Sequence, residues 1–222
     1  LFDQMSDFAS YAFNKSHAAA YAVVAYRTAY LKCHWPREYM ASLLTSVLSS
    51  TVKVVEYISE AKRMGIDVLP PDINESDDIF TVVGDNIRFG LVAVKNIGRK
   101  FIQNVCAERQ NNGPFRSFQQ FCERCFDGDM NRRAVESLIK CGAFDRLGKR
   151  SQLLEVVGPL LENISSARSK TMEGQLDLFS MSSDSEPSPA QEMLLPDIPE
   201  LSRRELISME REVTGLYLSG HP

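Results

Sequence analysis

Five consecutive residues, Phe13-Asn14-Lys15-Ser16-His17, stand where an alanine-rich helix pattern opens, and their types suit an anion. Free backbone amides and the positive dipole end of a helix attract phosphate, to which Lys15 would add a point charge and His17 a donor. A triphosphate fits such a seat. The same five residues also read as simple capping by Asn14 or Ser16 beside a solvated Lys15, and taken alone they favour capping.

A second group runs from Gly90 to Lys100, GLVAVKNIGRK, ahead of an amphipathic helix through Arg109. It matches the helix-hairpin-helix pattern, in which a tight apolar-Gly turn aims backbone amides at a phosphate. Asn96 stands where that turn usually has Gly, and Asn is the next best residue for a left-handed backbone. Lys95, Asn96, Ile97 and Gly98 would form the turn. Arg99 and Lys100 would pair with the flanking phosphates, giving binding that depends on salt and ignores base sequence. Arg132 to Cys141, CGAFDRLG and the run from Lys149 resemble a second copy, with Gly142 at its turn.

Charge distribution points the same way. The net charge is −4, but from Arg88 to Arg150 there are 13 Lys and Arg against 6 Asp and Glu, so this stretch carries +7 and the remainder −11. A basic island in an acidic chain suits a polyanion, although a solvated helical surface has the same composition. A third group, Gln175-Leu176-Asp177-Leu178-Phe179, places apolar side chains beside a segment with little to pack against, which suits anchoring on another protein. It is also short enough to fold back on its own chain.

Other chemistry is not expected. Cys122 and Cys125 have zinc-like spacing, but no second close pair accompanies them and FQQFCERC reads as a helix. The three His are far apart in sequence, and there is no nucleophile elbow, P-loop or dense carboxylate motif. Asp127 and Asp129 fall in a Gly-containing turn. No metal site is expected in this chain.

The elements that must position these residues are mainly helical. A long helix from Ser16, expected to be well buried and capped by that Ser, should stop at Pro36. A second from Arg37 to about Leu48 carries Tyr39, Met40, Leu43, Leu44 and Val47 on one face. A third, capped by Thr51, turns Val54, Val55, Ile58 and Ala61 inward and stops at Gly65, with Pro70 and Pro71 barring more helix. IFTVV, GDN and IRFGL read as a small β-hairpin. Helical patterns return over Arg99–Arg109, Phe118–Cys125, Asn131–Cys141 and Lys149–Ser166. Residues 180–199, rich in Ser, Pro and acid, read as a mobile linker, and a last helix should run from Arg203 to about Val213.

The 222 residues are 44% apolar and 24% charged, a balance suited to a globular protein with one or two cores. No apolar run approaches the roughly 18 residues of a membrane span. Five scattered Cys suit reduced thiols inside a cell, hence a cytoplasmic setting. Leu1 to Ser10 lacks the features of a signal peptide, and the opening without Met fits a piece of a longer chain.

Taken together, YAFNKSHAAAYAVVAYRTAYLKCHWPREYMASLLTS, KRMGIDVLPPDIN, GLVAVKNIG, NRRAVESLIKCGAFDRLG, QLDLF and GLYLSGHP, in that order, resemble the alpha subunits of bacterial replicative DNA polymerase III. The resemblance implies fingers-domain helices over residues 1–76 and a β-hairpin with a tandem helix-hairpin-helix region over 77–170. A clamp-binding peptide and linker would occupy 171–200, and 201–222 would lead toward an OB-type domain. Asn14, Lys15, Ser16 and His17 would contact the incoming deoxynucleoside triphosphate, with Tyr11 a neighbour. Lys95 to Lys100 would hold primer-template duplex, and Gln175 to Phe179 would dock on the ring-shaped sliding clamp, in company with other replicase subunits and no membrane. The catalytic carboxylates and their Mg2+ would lie upstream of Leu1, so this piece is expected to bind and not to polymerise. A free-standing helix-hairpin-helix adaptor would instead have its own start codon just before Leu1, and an error-prone relative would lack so good a clamp peptide.

Overall fold

The computed structural model describes residues 2, 3, 5, 15–172 and 193–220. It is mainly helical with one small sheet, as the sequence predicts. Helix α1, Lys15–His34, already contains Ser16 in its first turn, so Ser16 is not its cap. Nor is α1 buried. None of its side chains is enclosed, and Tyr21, Val23, Val24 and Tyr26 are exposed. The physical reason is that its apolar residues surround the axis on every side, while among the described residues a single flank is met. There Thr28, Leu31 and Trp35 face Tyr39, Ser42 and Leu43 across a shallow crevice.

Those last three belong to α2, Pro36–Ser46, where Pro36 supplies a preset first-turn φ and Met40, Ala41 and Leu44 are buried. Helix α3, Thr51–Arg63, includes Thr51 as its first residue; Ser50, in extended backbone, precedes it. Its buried stripe is Val54, Ile58 and Ala61. Gly65, at φ 76°, turns the chain so that the Ile66 amide reaches the Ala61 carbonyl at 3.0 Å.

The expected hairpin is present as β2, Thr81–Val83, and β3, Asn86–Arg88, joined by Gly84 and Asp85. A strand the sequence did not announce, β1, Val68–Leu69, lies parallel to β3 on its other side, giving the order β1-β3-β2. Just after β3, Gly90 passes so close to the preceding loop that a Cβ would sit 2.5 Å from the Ile79 carbonyl carbon. Only glycine fits there.

The rest is short helices: α4, Arg99–Asn112; α5, Phe118–Cys125; α6, Arg132–Lys140; α7, Arg150–Met172; and α8, Arg203–Thr214. Ser117 caps α5, Asn131 caps α6, and Ser202 with Glu205 forms a capping box on α8. Between these helices Phe115, Phe118, Phe121 and Phe144 meet edge to face, with ring centroids 4.8 to 5.2 Å apart. The loop after Pro71 locks this cluster to the sheet. Ile73 donates its amide to Ala143, and Arg109 on α4 binds the carbonyls of Ile73 and Ser76.

Residues 193–199 correct the linker expectation. Met193 and Leu195 pack on the core, Gln152 donates to the Pro196 carbonyl at 2.7 Å, and Lys149 donates to that of Ile198 at 3.1 Å. Two or three apolar anchors with backbone hydrogen bonds suffice to dock a stretch whose average composition is polar. Helix α8 also packs on this body, its Val213 being part of the core.

Candidate nucleic-acid interface

Asn96 sits at φ 65°, the one positive φ outside glycine among the described residues. Its side chain donates to Ser137 Oγ on α6 at 3.2 Å, and Ile97 packs against the core, so the turn is held from both sides. Gly98 then takes the cap position of α4 in extended backbone. It has no side chain to satisfy the first amides, and no acidic residue follows in the first turn. Those amides and the dipole make the start of α4 electropositive. Before the turn the chain makes a single 3-10 turn, Leu91–Ala93.

Arg99 and Lys100 follow on exposed backbone. Arg99 has no ion pair or hydrogen bond from its side chain among the described residues. Lys100 pairs with Asp129 at 2.8 Å while remaining 77% exposed, and the hydrogen bond to that carboxylate lifts its pKa above the usual lysine value. Lys95 is exposed as well, and its amide donates to the Val213 carbonyl at 2.8 Å and its ammonium to the Glu212 carbonyl at 2.9 Å, which ties the turn to the end of α8.

The basic island changes meaning for the same reason. Arg88 pairs with Glu75, Arg109 with Asp77, Arg124 with Glu108, Arg132 with Glu136 and Lys140 with Glu212, while Arg146 meets Glu75 and Asp72. Arg150 binds Asp145 at 2.7 Å and the fully buried Glu210 at 3.0 Å. Most of the excess cations therefore close the fold, many of them on acids from outside the island. Among the described residues, the side chains of Arg99, Arg116 and Arg133 have no such partner.

The second hairpin runs from α6 to α7. Gly142, at φ 86°, lets the Ala143 amide reach Leu138 O at 3.0 Å. A Cβ on Gly142 would meet the Arg150 guanidinium at 2.4 Å, so this turn is packed around that side chain. The residues sequence reasoning missed are Arg150, Glu210 and Glu200. Nothing local announces them, because the bonds that join Arg150 to Glu200 and to Glu210 span 50 and 60 residues.

The triphosphate and clamp candidates stand apart from this surface in the chain. Lys15 is exposed in the first turn of α1 with Ser16, and the His17 ring lies 4.4 Å from that of Tyr21. Asn14 and Gln175, Leu176, Asp177, Leu178 and Phe179 lie outside the described residues. Cys122 and Cys125 sit in the α5 core, where burial pushes both thiols up, Cys125 to about 12. No described helix is long and apolar enough to cross a membrane.

A helix-hairpin-helix family model matches residues 65–153, from before β1 to the first turn of α7. The whole chain is 43% identical over 222 residues to the DNA polymerase III subunit alpha of Thermus aquaticus and 42% identical over 225 residues to that of Deinococcus radiodurans. A third, from Saccharopolyspora erythraea, is 44% identical over 97% of the chain. The chain spans 18%, 17% and 18% of these relatives' lengths. Identity of this level along the full chain, with the hairpin at the matched position, means that the chain belongs, as a segment, to the DNA polymerase III alpha-subunit family.

Proposed function

We propose that this chain is the part of a DNA-directed DNA polymerase that holds primer-template duplex by its backbone without reading bases. One observation carries the reading: the left-handed Asn96 turn delivers the uncapped start of α4, with Arg99 exposed beside it. Backbone amides and flanking cations bind phosphate oxygens, which every sequence offers alike. Lys100 can exchange Asp129 for a phosphate at little cost, because an ion pair in contact with water is weak and screened by salt.

Two further contacts complete the proposal. Lys15 and His17, at the start of α1, would meet the triphosphate of an incoming nucleotide, with Asn14 and Ser16 beside them. Gln175 to Phe179 would dock on the sliding clamp, turning rebinding after a slip into an intramolecular event. Magnesium does not fit the turn that carries Asp127 and Asp129. Asp127 is occupied by the amides of Asp129 and Met130 and by Asn104, and Asp129 by Lys100.

Anisotropy titrations with labelled duplexes of unrelated sequence test the reading. Reversal of Arg99 and Lys100 to Glu should weaken every duplex by a similar factor and reduce the salt slope by about 0.9 for each phosphate no longer neutralised. A loss confined to one sequence would mean base readout and overturn it. Replacing Leu178 and Phe179 by Ala should abolish clamp binding and leave duplex affinity unchanged.

A further inference from the structure

The two hairpins end on helix starts of opposite character. At α4 the cap is Gly98, and no acceptor among the described residues meets the amides of Arg99 or Lys100. At α7 the carboxylate of Glu200, which is 49 and 50 residues away, receives the amides of Ser151 and Arg150 at 3.0 and 2.8 Å. One oxygen takes each amide, the arrangement a phosphate would adopt at a helix start.

The surroundings fix that carboxylate in place. Leu201 adds its own amide to Glu200 at 2.8 Å. Pro196 and Ile198 accept from Gln152 and Lys149, and Leu195 lies against the Gly148 backbone. Burial alone would raise the Glu200 pKa, but the amides of Leu201, Ser151 and Arg150 outweigh it and hold the carboxyl below the usual glutamate value. The flanking cations are engaged within the chain as well. Arg150 is buried and committed to Asp145 and Glu210, and Lys149, though exposed, gives its ammonium to the Ile198 carbonyl.

We infer that Glu200 occupies the anion position of the second hairpin, so that duplex backbone is contacted through the first hairpin alone and the second serves as a clasp for residues 193–202. The inference rests on the duplex reading above. A carboxylate held within the same chain competes at high effective concentration, and its charge repels a second anion from the same amides. Glu200 is thus a positioning residue, one that decides which hairpin the duplex meets.

Backbone amide NMR on the full 222-residue chain, titrated with a short duplex at low ionic strength, separates the possibilities. The Arg99 and Lys100 amides should shift while those of Arg150 and Ser151 stay in place. Equal shifts at both helix starts would overturn the inference and leave duplex binding standing. No shift anywhere, with no change in anisotropy, would instead sink the duplex reading. In Glu200→Ala the α7 amides should begin to respond, and the salt slope should steepen by about 0.9. If they stay silent in a variant whose other resonances are unchanged, Glu200 is not what excludes the phosphate. Should that variant unfold, the titration of the unaltered chain still decides.

Discussion

Asn74 and Phe115 exchange two hydrogen bonds across 41 residues: the Asn74 side chain donates to the Phe115 carbonyl at 2.9 Å and accepts from its amide at 2.8 Å. The Asn74 backbone is held in turn, its amide donating to Asp72 Oδ1 at 2.8 Å. This joins the loop after the paired prolines to the phenylalanine cluster. Asn74→Ala leaves the Phe115 amide and carbonyl without these partners, which should cost about 1–3 kcal/mol. The urea midpoint measures it.

At Asn96 the backbone, more than the side chain, sets the residue type. Asn96→Ala places a Cβ with no local hydrogen-bonding group in left-handed backbone and should cost about 1–2 kcal/mol. Asn96→Gly removes that strain, though it loses the bond to Ser137, and should stay closer to the parent. Thermal melting of the two variants checks the order. The Ala form should also bind duplex more weakly, because its turn no longer aims the α4 amides.

Arg150→Met would leave Glu210 buried without its counter-ion, since Glu210 is fully enclosed and, among the described residues, its carboxylate has Ser219 alone as a further partner. A loss of about 3–5 kcal/mol is expected. Adding Glu210→Leu should recover much of it, because removing both charges abolishes the desolvation cost that remains in the single variant. Urea denaturation of the single and double variants tests this.

Acid should loosen the fold. The Arg146 hydrogen bond, opposed by burial and aided by the charges of Arg88 and Arg146, holds Glu75 below the usual carboxylate range; Arg124 and Asn112 do the same for Glu108. Carboxylates with depressed folded-state values contribute their full stability above the unfolded-state pKa of about 4.3 and lose it as pH falls through the folded value. The urea midpoint should hold steady from about pH 7 to about 5 and drop below about 4. In Arg146→Gln the drop should be shallower.

Local patterns read well in this chain. Phe118–Cys125 has the bounds its periodicity predicts, Gly65 stops α3, and Asn96 takes the left-handed turn its residue type suggests. What escapes is long-range pairing. β1 is two residues long and depends on a parallel partner nearly twenty residues on, which no local pattern encodes. The basic island looks like a surface until Arg109 is seen bound to Asp77 and Arg150 to Glu210. Counting charge cannot tell a cation turned outward from one that closes the fold. Glu200 escapes for the same reason, standing in a stretch whose composition suggests nothing docked.

Helix α1 bears on calorimetry as well as on ligand binding. Heat capacity and denaturant sensitivity both follow the apolar area uncovered on unfolding, and twenty residues that cover almost none contribute little to either. The chain should therefore show a smaller heat-capacity increment and a lower m-value than its length implies. Much of the ellipticity of α1 should also fade gradually on warming, ahead of the main cooperative melt.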